Sequence, residues 1–231
     1  MSIKKRFPKG LTTLLFDMDG VLYDSMPNHA ESWMKSFKAE GIDFPAYDAY
    51  IHEGRTATTT VEEAFKKYVG KTPTTEDVER IYNRKSKILE SLPSSPIMPY
   101  MQEVFELSRN AGYKIIVVTG SKQPSLLNRL TNDYKISREN VVCGNDVING
   151  KPHPEPFLTG LKKAQSSANE SLVIENAPLG IRSARAAQIR TVAINSGILD
   201  PKELTKEGAE TIFSNSKEFL QFWKDNVTTT H

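Results

Sequence analysis

Six short apolar runs, each stopped by a polar or glycine-containing turn, most constrain what this chain can fold into. They are Leu11–Phe16, Tyr113–Val118, Asn140–Cys143, Ser171–Ile174, Arg190–Ile194 and the weaker Glu210–Phe213. Runs this short, with no polar alternation, suit strands buried on both faces. Between them lie helical patterns: Tyr100–Ala111, Pro124–Asn132, Glu155–Gln165, Leu179–Gln188 and Lys217–Lys224. Pro124 and Pro154 stand near helix starts, where a missing N–H costs little. Strand–helix alternation of this kind predicts an α/β fold, a doubly wound parallel sheet with helices on both faces. Such sheets bind ligands beyond the carboxyl ends of their strands. Asp17, Asp19, Thr119, Ser121, Glu175 and Asn176 all fall at those ends.

One segment breaks the alternation. From about Pro27 to Leu92 there are helical patterns, at Asn28–Glu40, Thr59–Val69 and Thr75–Ser91, and no strong strand. Thr74 or Thr75 can cap the last of these, with Asp77 and Glu79 in its first turn. The segment begins after Asp24-Ser25-Met26-Pro27 and ends in Leu92–Pro99, where three prolines and two serines in eight residues read as a linker. The expected organisation is a core of residues 1–25 and 94–231, with residues 26–93 as a helical unit inserted between the first two strands.

Composition narrows the function classes. Thirty Lys and Arg against 28 Asp and Glu leave a net charge of +2 with no basic block. Electrostatics therefore give no argument for nucleic acid or a membrane surface. No apolar run is long enough for a membrane span. The stretch after the basic residues 1–10 is too short and too acidic for a signal peptide. Cys143 stands alone, so no intrachain disulfide forms, and a cytoplasmic protein is expected.

The chemistry gathers at the strand ends. Asp17 and Asp19, in Phe16-Asp17-Met18-Asp19-Gly20, are two carboxylates after a buried strand and need a compensating cation or hydrogen bonds. A hard cation such as Mg²⁺ accepts oxygens of this kind and leaves room for a phosphate. A carboxylate here can also attack phosphorus, and its neighbour can move a proton. A polar turn explains the tetrapeptide equally well by itself. Thr119-Gly120-Ser121 offers hydroxyls and free N–H groups to a phosphate oxygen, although Thr-Gly-Ser is also a common turn. Lys151, between Gly150 and Pro152, is a point charge suited to a phosphoryl group or an acidic pair, or a plain surface lysine. Glu175 and Asn176 add oxygens suited to a metal. Together these supply the nucleophile, metal, positive clamp and hydrogen-bond donors that phosphoryl transfer needs.

The four motifs and the insertion after the first resemble the haloacid dehalogenase superfamily, in its beta-phosphoglucomutase-like subfamily with a helical cap. The resemblance implies Asp17 as nucleophile and Mg²⁺ ligand. It implies Asp19 as general acid and base, with its carbonyl on the metal. Thr119, Gly120 and Ser121 would hold the transferring phosphoryl group and Lys151 would neutralise it. Glu175 and Asn176 would complete the metal site, although the family usually has an aspartate where this chain has Asn176. Asp19 favours phosphate chemistry, because the dehalogenases lack that second carboxylate.

The same resemblance points to His29, to the loop Glu53-Gly54-Arg55-Thr56 and to Lys85 as groups of the cap that face the site. The mutases carry an arginine a few residues past the loop glycine, where this chain has Ala57. Glu53 adds a negative charge that repels a second phosphate unless a metal lies between them. The loop resembles that of haloacid dehalogenase-type inorganic pyrophosphatases. The expected function is thus an Mg²⁺-dependent phosphohydrolase working through an aspartyl phosphate on inorganic pyrophosphate or a sugar phosphate. The alternatives are a beta-phosphoglucomutase-type mutase and a catalytically weak binding protein. The expected partner is a small phosphorylated substrate, with the protein a monomer or weak oligomer.

Overall fold

The computed structural model describes residues 10–122 and 124–227; the basic residues 1–9 lie outside it. Its sheet has six strands: β1 (Thr13–Phe16), β2 (Lys114–Val118), β3 (Val141–Val142), β4 (Ser171–Glu175), β5 (Arg190–Ile194) and β6 (Thr211–Phe213). Their order is β3-β2-β1-β4-β5-β6, and every pair is parallel. β1 lies at the centre, with Leu15 opposite Ile116 on one side and Val173 on the other. The order in which strands are added reverses beside β1, with β2 on one side and β4 on the other, so the crevice at its carboxyl end is the natural ligand position.

Successive residues of β1 feed opposite faces. Leu14 and Phe16 join a core with Phe105, Tyr134 and Trp223, from α5 (Met101–Asn110), α6 (Pro124–Tyr134) and α10 (Ser216–Asn226). Leu15 joins the other core, with Phe157 and Ala184 from α7 (Glu155–Ala164) and α8 (Pro178–Ala186). Burial on both faces accounts for the unbroken apolar runs.

Between β1 and β2 stand α1 (Met26–Lys38), α2 (Ala46–Ile51), α3 (Ala57–Tyr68) and α4 (Thr75–Ser91). Thr74 caps α4 in a reciprocal capping box with Asp77. Trp33, Phe37, Phe44 and Ile81 form their shared core, which continues into Ile181, Ala193 and Leu204. The two linkers run side by side: Asp24 N donates to Pro96 O at 3.0 Å and Met98 N to Leu22 O at 2.8 Å. Two short helices, α2 and α9 (Pro201–Glu207), have no counterpart among the sequence patterns. At six and seven residues they make less than two turns, too few for a period to show.

Candidate active site

The polypeptide leaves β1 in a tight turn. Met18 O accepts from Leu22 N at 2.8 Å and Tyr23 N at 3.1 Å, and Gly20 sits at φ +77°. A side chain there would be strained and would also fall on the Asn176 amide. This turn buries Asp17 and Asp19 beside each other at the head of the sheet.

Lys151, from the loop before α7, reaches under the same end. Its Nζ lies 2.5 Å from Asp17 Oδ1, 2.6 Å from Glu175 Oε1 and 3.3 Å from Val118 O. The other Glu175 oxygen accepts from Asn176 N at 2.8 Å and Ala177 N at 3.0 Å. Both oxygens of Glu175 are therefore engaged, one in holding Lys151 and one in holding the start of α8. Burial pushes the Asp17 carboxyl well up, Glu175 and Asp19 add to this, and Lys151 opposes it. Burial would lower the Lys151 ammonium, but Asp17 and Glu175 outweigh it and hold Lys151 above its ordinary value.

Asn176 is buried, and its Oδ1 has no hydrogen-bond partner. A buried amide oxygen left bare is costly unless a donor or cation meets it. Among the described residues no group of three or more His, Cys, Asp or Glu side chains could hold a metal. The groups here that could hold a hard cation are mixed oxygens: the Asp17 carboxylate, Asp19 and the bare Asn176 oxygen. That set fits Mg²⁺, which needs only one or two carboxylates beside water and phosphate.

At the end of β2, Thr119 is buried and its Oγ1 accepts from Ser121 N at 3.0 Å. Thr119 N donates to Val142 O and Gly144 N to Ser121 O, both at 2.9 Å, which anchors the turn to the edge of the sheet. Gly120 is exposed and Ser121 partly exposed.

The helical unit closes over this end. His29 Nε2 stands 3.6 Å from Asp19 Oδ1 and its Nδ1 3.8 Å from Glu53 Oε2. Gly54, at φ +86°, lies against the stem of Lys151, with room for a Cβ only at 3.4 Å from two of its carbons. Lys85 is buried on α4, its Nζ 5.4 Å from the Trp33 ring. A charged helix would leave such a lysine in water by default, but α4 turns it inward. Burial lowers Lys85, opposed by Glu53 and Asp19. Burial and then Asp19 raise Glu53 to about 7. Burial and then Lys85 lower His29 to about 4.

Two residues of the loop make no hydrogen bond or ion pair with these carboxylates among the described residues. Thr56 caps α3, its Oγ1 accepting from Thr59 N. Arg55 has a buried Nε without a partner and no ion pair with the carboxylates above among the described residues. Ser25 is an addition: its Oγ donates to Asp19 Oδ1 at 2.6 Å. It stands at the N-cap of α1 but makes no cap bond, so its hydroxyl is diverted from the helix to the carboxylate. A serine just ahead of a proline-started helix reads as a cap, and only its position six residues after Asp19 hints otherwise.

The model of the family described as haloacid dehalogenase-like hydrolase matches residues 14–194. Among solved structures, one named "Putative beta-phosphoglucomutase", from Bacteroides vulgatus, is 41% identical at a TM-score of 0.86, covering 93% of this chain and 88% of that one. "Putative pyrophosphatase PpaX" of Caldanaerobacter subterraneus is 27% identical, covering 93% of this chain and 95% of the relative. Hexitol phosphatase A of Escherichia coli is 28% identical, covering 81% of this chain and 85% of the relative. No helix among the described residues is long and apolar enough to cross a membrane. With the family model running from within β1 to the end of β5, across every strand that positions the carboxylates, the chain belongs to the haloacid dehalogenase-like hydrolases.

Proposed function

We propose that the protein is an Mg²⁺-dependent phosphohydrolase of small phosphorylated substrates that works through an aspartyl phosphate, with inorganic pyrophosphate and sugar phosphates as the substrate classes. One observation carries the reading: a buried pair, Asp17 and Asp19, at the head of β1 with Lys151 on Asp17 and a bare amide oxygen on Asn176. An Asp17 oxygen attacks phosphorus, and the bond from phosphorus to the leaving oxygen breaks. Asp19 gives that oxygen its proton. It then takes a proton from the water that attacks the aspartyl phosphate, which frees Asp17 and phosphate. Ser25 and His29 orient Asp19, Thr119 and Ser121 donate to the phosphoryl oxygens, and Lys151 balances their charge. Mg²⁺, held by Asp17, the Asp19 carbonyl and Asn176, would supply further charge neutralisation at those oxygens. Glu175 serves through Lys151, with one oxygen on the ammonium and the other on the Asn176 and Ala177 amides.

In this reading residues 26–93 form a cap over a core of residues 1–25 and 94–231, and the paired linkers are its hinge. The cap excludes water during transfer and reopens for release. Glu53 faces the same end as Asp19, so a substrate that brings its own metal, such as magnesium pyrophosphate, meets less repulsion than a bisphosphorylated sugar. The relative named as a pyrophosphatase is in keeping with this. The lone buried Cys143 suits a reducing cytoplasm.

A mutase is the second reading, favoured by His29 beside Asp19 and by the inward Lys85. Phosphate release with Mg²⁺ from pyrophosphate, hexose, triose and nucleoside monophosphates separates the two. A hundredfold preference in kcat/KM for pyrophosphate, about 2.7 kcal/mol of transition-state discrimination, marks a pyrophosphatase. Isomerised sugar phosphate with no net phosphate release marks a mutase. Asp17→Asn abolishes turnover in either case, and substantial remaining activity refutes the nucleophile.

A further inference from the structure

The end of the sheet opposite the candidate active site has its own concave surface. Helices α5, α6 and α7 finish there, and β2 begins there. A cavity of about 410 Å³ is lined by Arg109, Lys114, Lys135 and Lys163, over the buried side chains of Tyr113 and Ile136, with no acidic residue in the lining. The whole chain carries only +2, so four cations in one lining do not simply mirror its overall charge.

Their partners are unusual for this surface. Five arginines elsewhere meet carboxylates: Arg80 and Arg84 meet Glu40, Arg138 meets Asp146, Arg182 meets Glu207 and Arg190 meets Glu210. In the cavity Arg109 donates to Tyr134 O, Lys114 Nζ to Ala164 O at 2.8 Å and Lys135 Nζ to Asn132 O at 2.8 Å. None of these three forms an ion pair among the described residues, while Lys163 has Asp146 at 3.8 Å. The acids that feel these lysines, Glu139, Asp146 and Glu170, stand outside the lining.

Helix ends explain part of this pattern. Each helix C-terminus carries a charge of about −0.5, so three of them offset roughly half of the three unpaired cations. A positive balance remains. An ammonium that gives one hydrogen to a carbonyl also keeps others for a new acceptor.

We infer that this cavity binds a small anion bearing two or more phosphoryl groups, at a place separate from the catalytic end. Phosphoryl oxygens match the fork of Arg109 and the point charges of the lysines. The volume lies within the usual range for small-ligand sites. Strand β2 separates the two sites: from Lys114 to Val118 it extends about 13 Å at the usual rise per residue, with Thr119 beyond its far end.

The test uses the whole chain in EDTA, titrated with ADP and followed by ¹H–¹⁵N correlation spectra. The amides of Lys114, Lys135 and Asn140 shift saturably, and added NaCl weakens the effect. The Lys114→Ala/Lys135→Ala variant loses at least tenfold in affinity at those amides. Its other resonances stay in place, and so does its Mg²⁺-dependent phosphate release without ADP. Shifts confined to Asp17–Gly20 and Thr119–Ser121, or a salt-insensitive shift, overturn the inference. So does unchanged affinity in the double variant.

Discussion

Lys151 Nζ stands 2.6 Å from Glu175 Oε1, and the two side chains are only 4% and 1% exposed. Breaking a buried ion pair by removing one partner typically costs about 3–5 kcal/mol. Asp17 still faces Lys151 when Glu175 is gone, so Glu175→Gln should cost near the lower end, about 3 kcal/mol, read from urea unfolding. Gly180 gives an independent route to the same pair. A Cβ there would fall on the Glu175 carboxylate. A glycine-to-alanine change inside a helix ordinarily stabilises by up to about 1 kcal/mol; Gly180→Ala should instead destabilise and lower kcat. An increase in stability would mean that the carboxylate is free to move aside.

Asn176 offers a test of the proposed metal site. Its bare Oδ1 lies in a place where charge is already crowded, with Asp17 raised by burial and by neighbouring carboxylates. Asn176→Asp adds a negative charge toward the cation. The Mg²⁺ concentration that half-saturates phosphate release should fall roughly tenfold, about 1.4 kcal/mol. Without metal the same variant should melt lower, because one more like charge is buried. An unchanged Mg²⁺ requirement would remove Asn176 from the coordination shell.

Glu53 makes stability depend on pH. Its ordinary value is 4.5, and the fold raises it to about 7, first through burial and then through Asp19, against Lys85 and Lys151. Between these values the folded chain holds a proton that the unfolded chain releases. Stability from this group therefore falls as pH rises through the window, and the penalty is fully present above about pH 7. Glu53→Gln should be the more stable protein at pH 8 in EDTA, with the gap closing toward pH 4.5. His29, lowered to about 4, works with the opposite slope, so the comparison is made at each pH between variant and parent. A gap independent of pH would show that Glu53 does not titrate in this range.

How much of this could be read in advance varies with the physics involved. β5 and α4 have the bounds the patterns suggest, because an unbroken apolar run and a five-turn amphipathic helix with a capping threonine are local signals. The strand-end positions of Asp17, Thr119 and Glu175 follow from the same runs. What stayed hidden depends on tertiary contact. Ser25 looks like a helix cap until its hydroxyl is seen on Asp19. The charge pattern of α4 alone would leave Lys85 in water, and only the family resemblance turns it inward, where it lies against Trp33. Glu175 reads as an oxygen donor for a metal, and its contacts with Lys151 and two backbone amides are ones no local pattern shows. Short α2 was invisible to periodicity, yet it carries the tyrosine that ties the helical unit to the core.

That tyrosine is Tyr50, whose ring covers Gly197 in the loop after β5. A Cβ on Gly197 would overlap the ring, and Gly197 needs no positive φ, so the clash is the only barrier to alanine there. The neighbouring Ser196 Oγ donates to Gly20 O at 2.6 Å, so the same loop also braces the turn that holds Asp17 and Asp19. Overpacking of a close contact typically costs about 1–3 kcal/mol. Gly197→Ala should lose stability in that range and displace α2, and with it Glu53. Tyr50→Ala removes the ring and loses stability through its own cavity. Because the clash needs both groups, Gly197→Ala should cost little more once Tyr50 is gone, and the double variant should be well short of additive. Full additivity in urea unfolding would mean that the loop yields without touching α2. The same four proteins assayed for phosphate release would then show no coupling between Gly197 and the Glu53 loop.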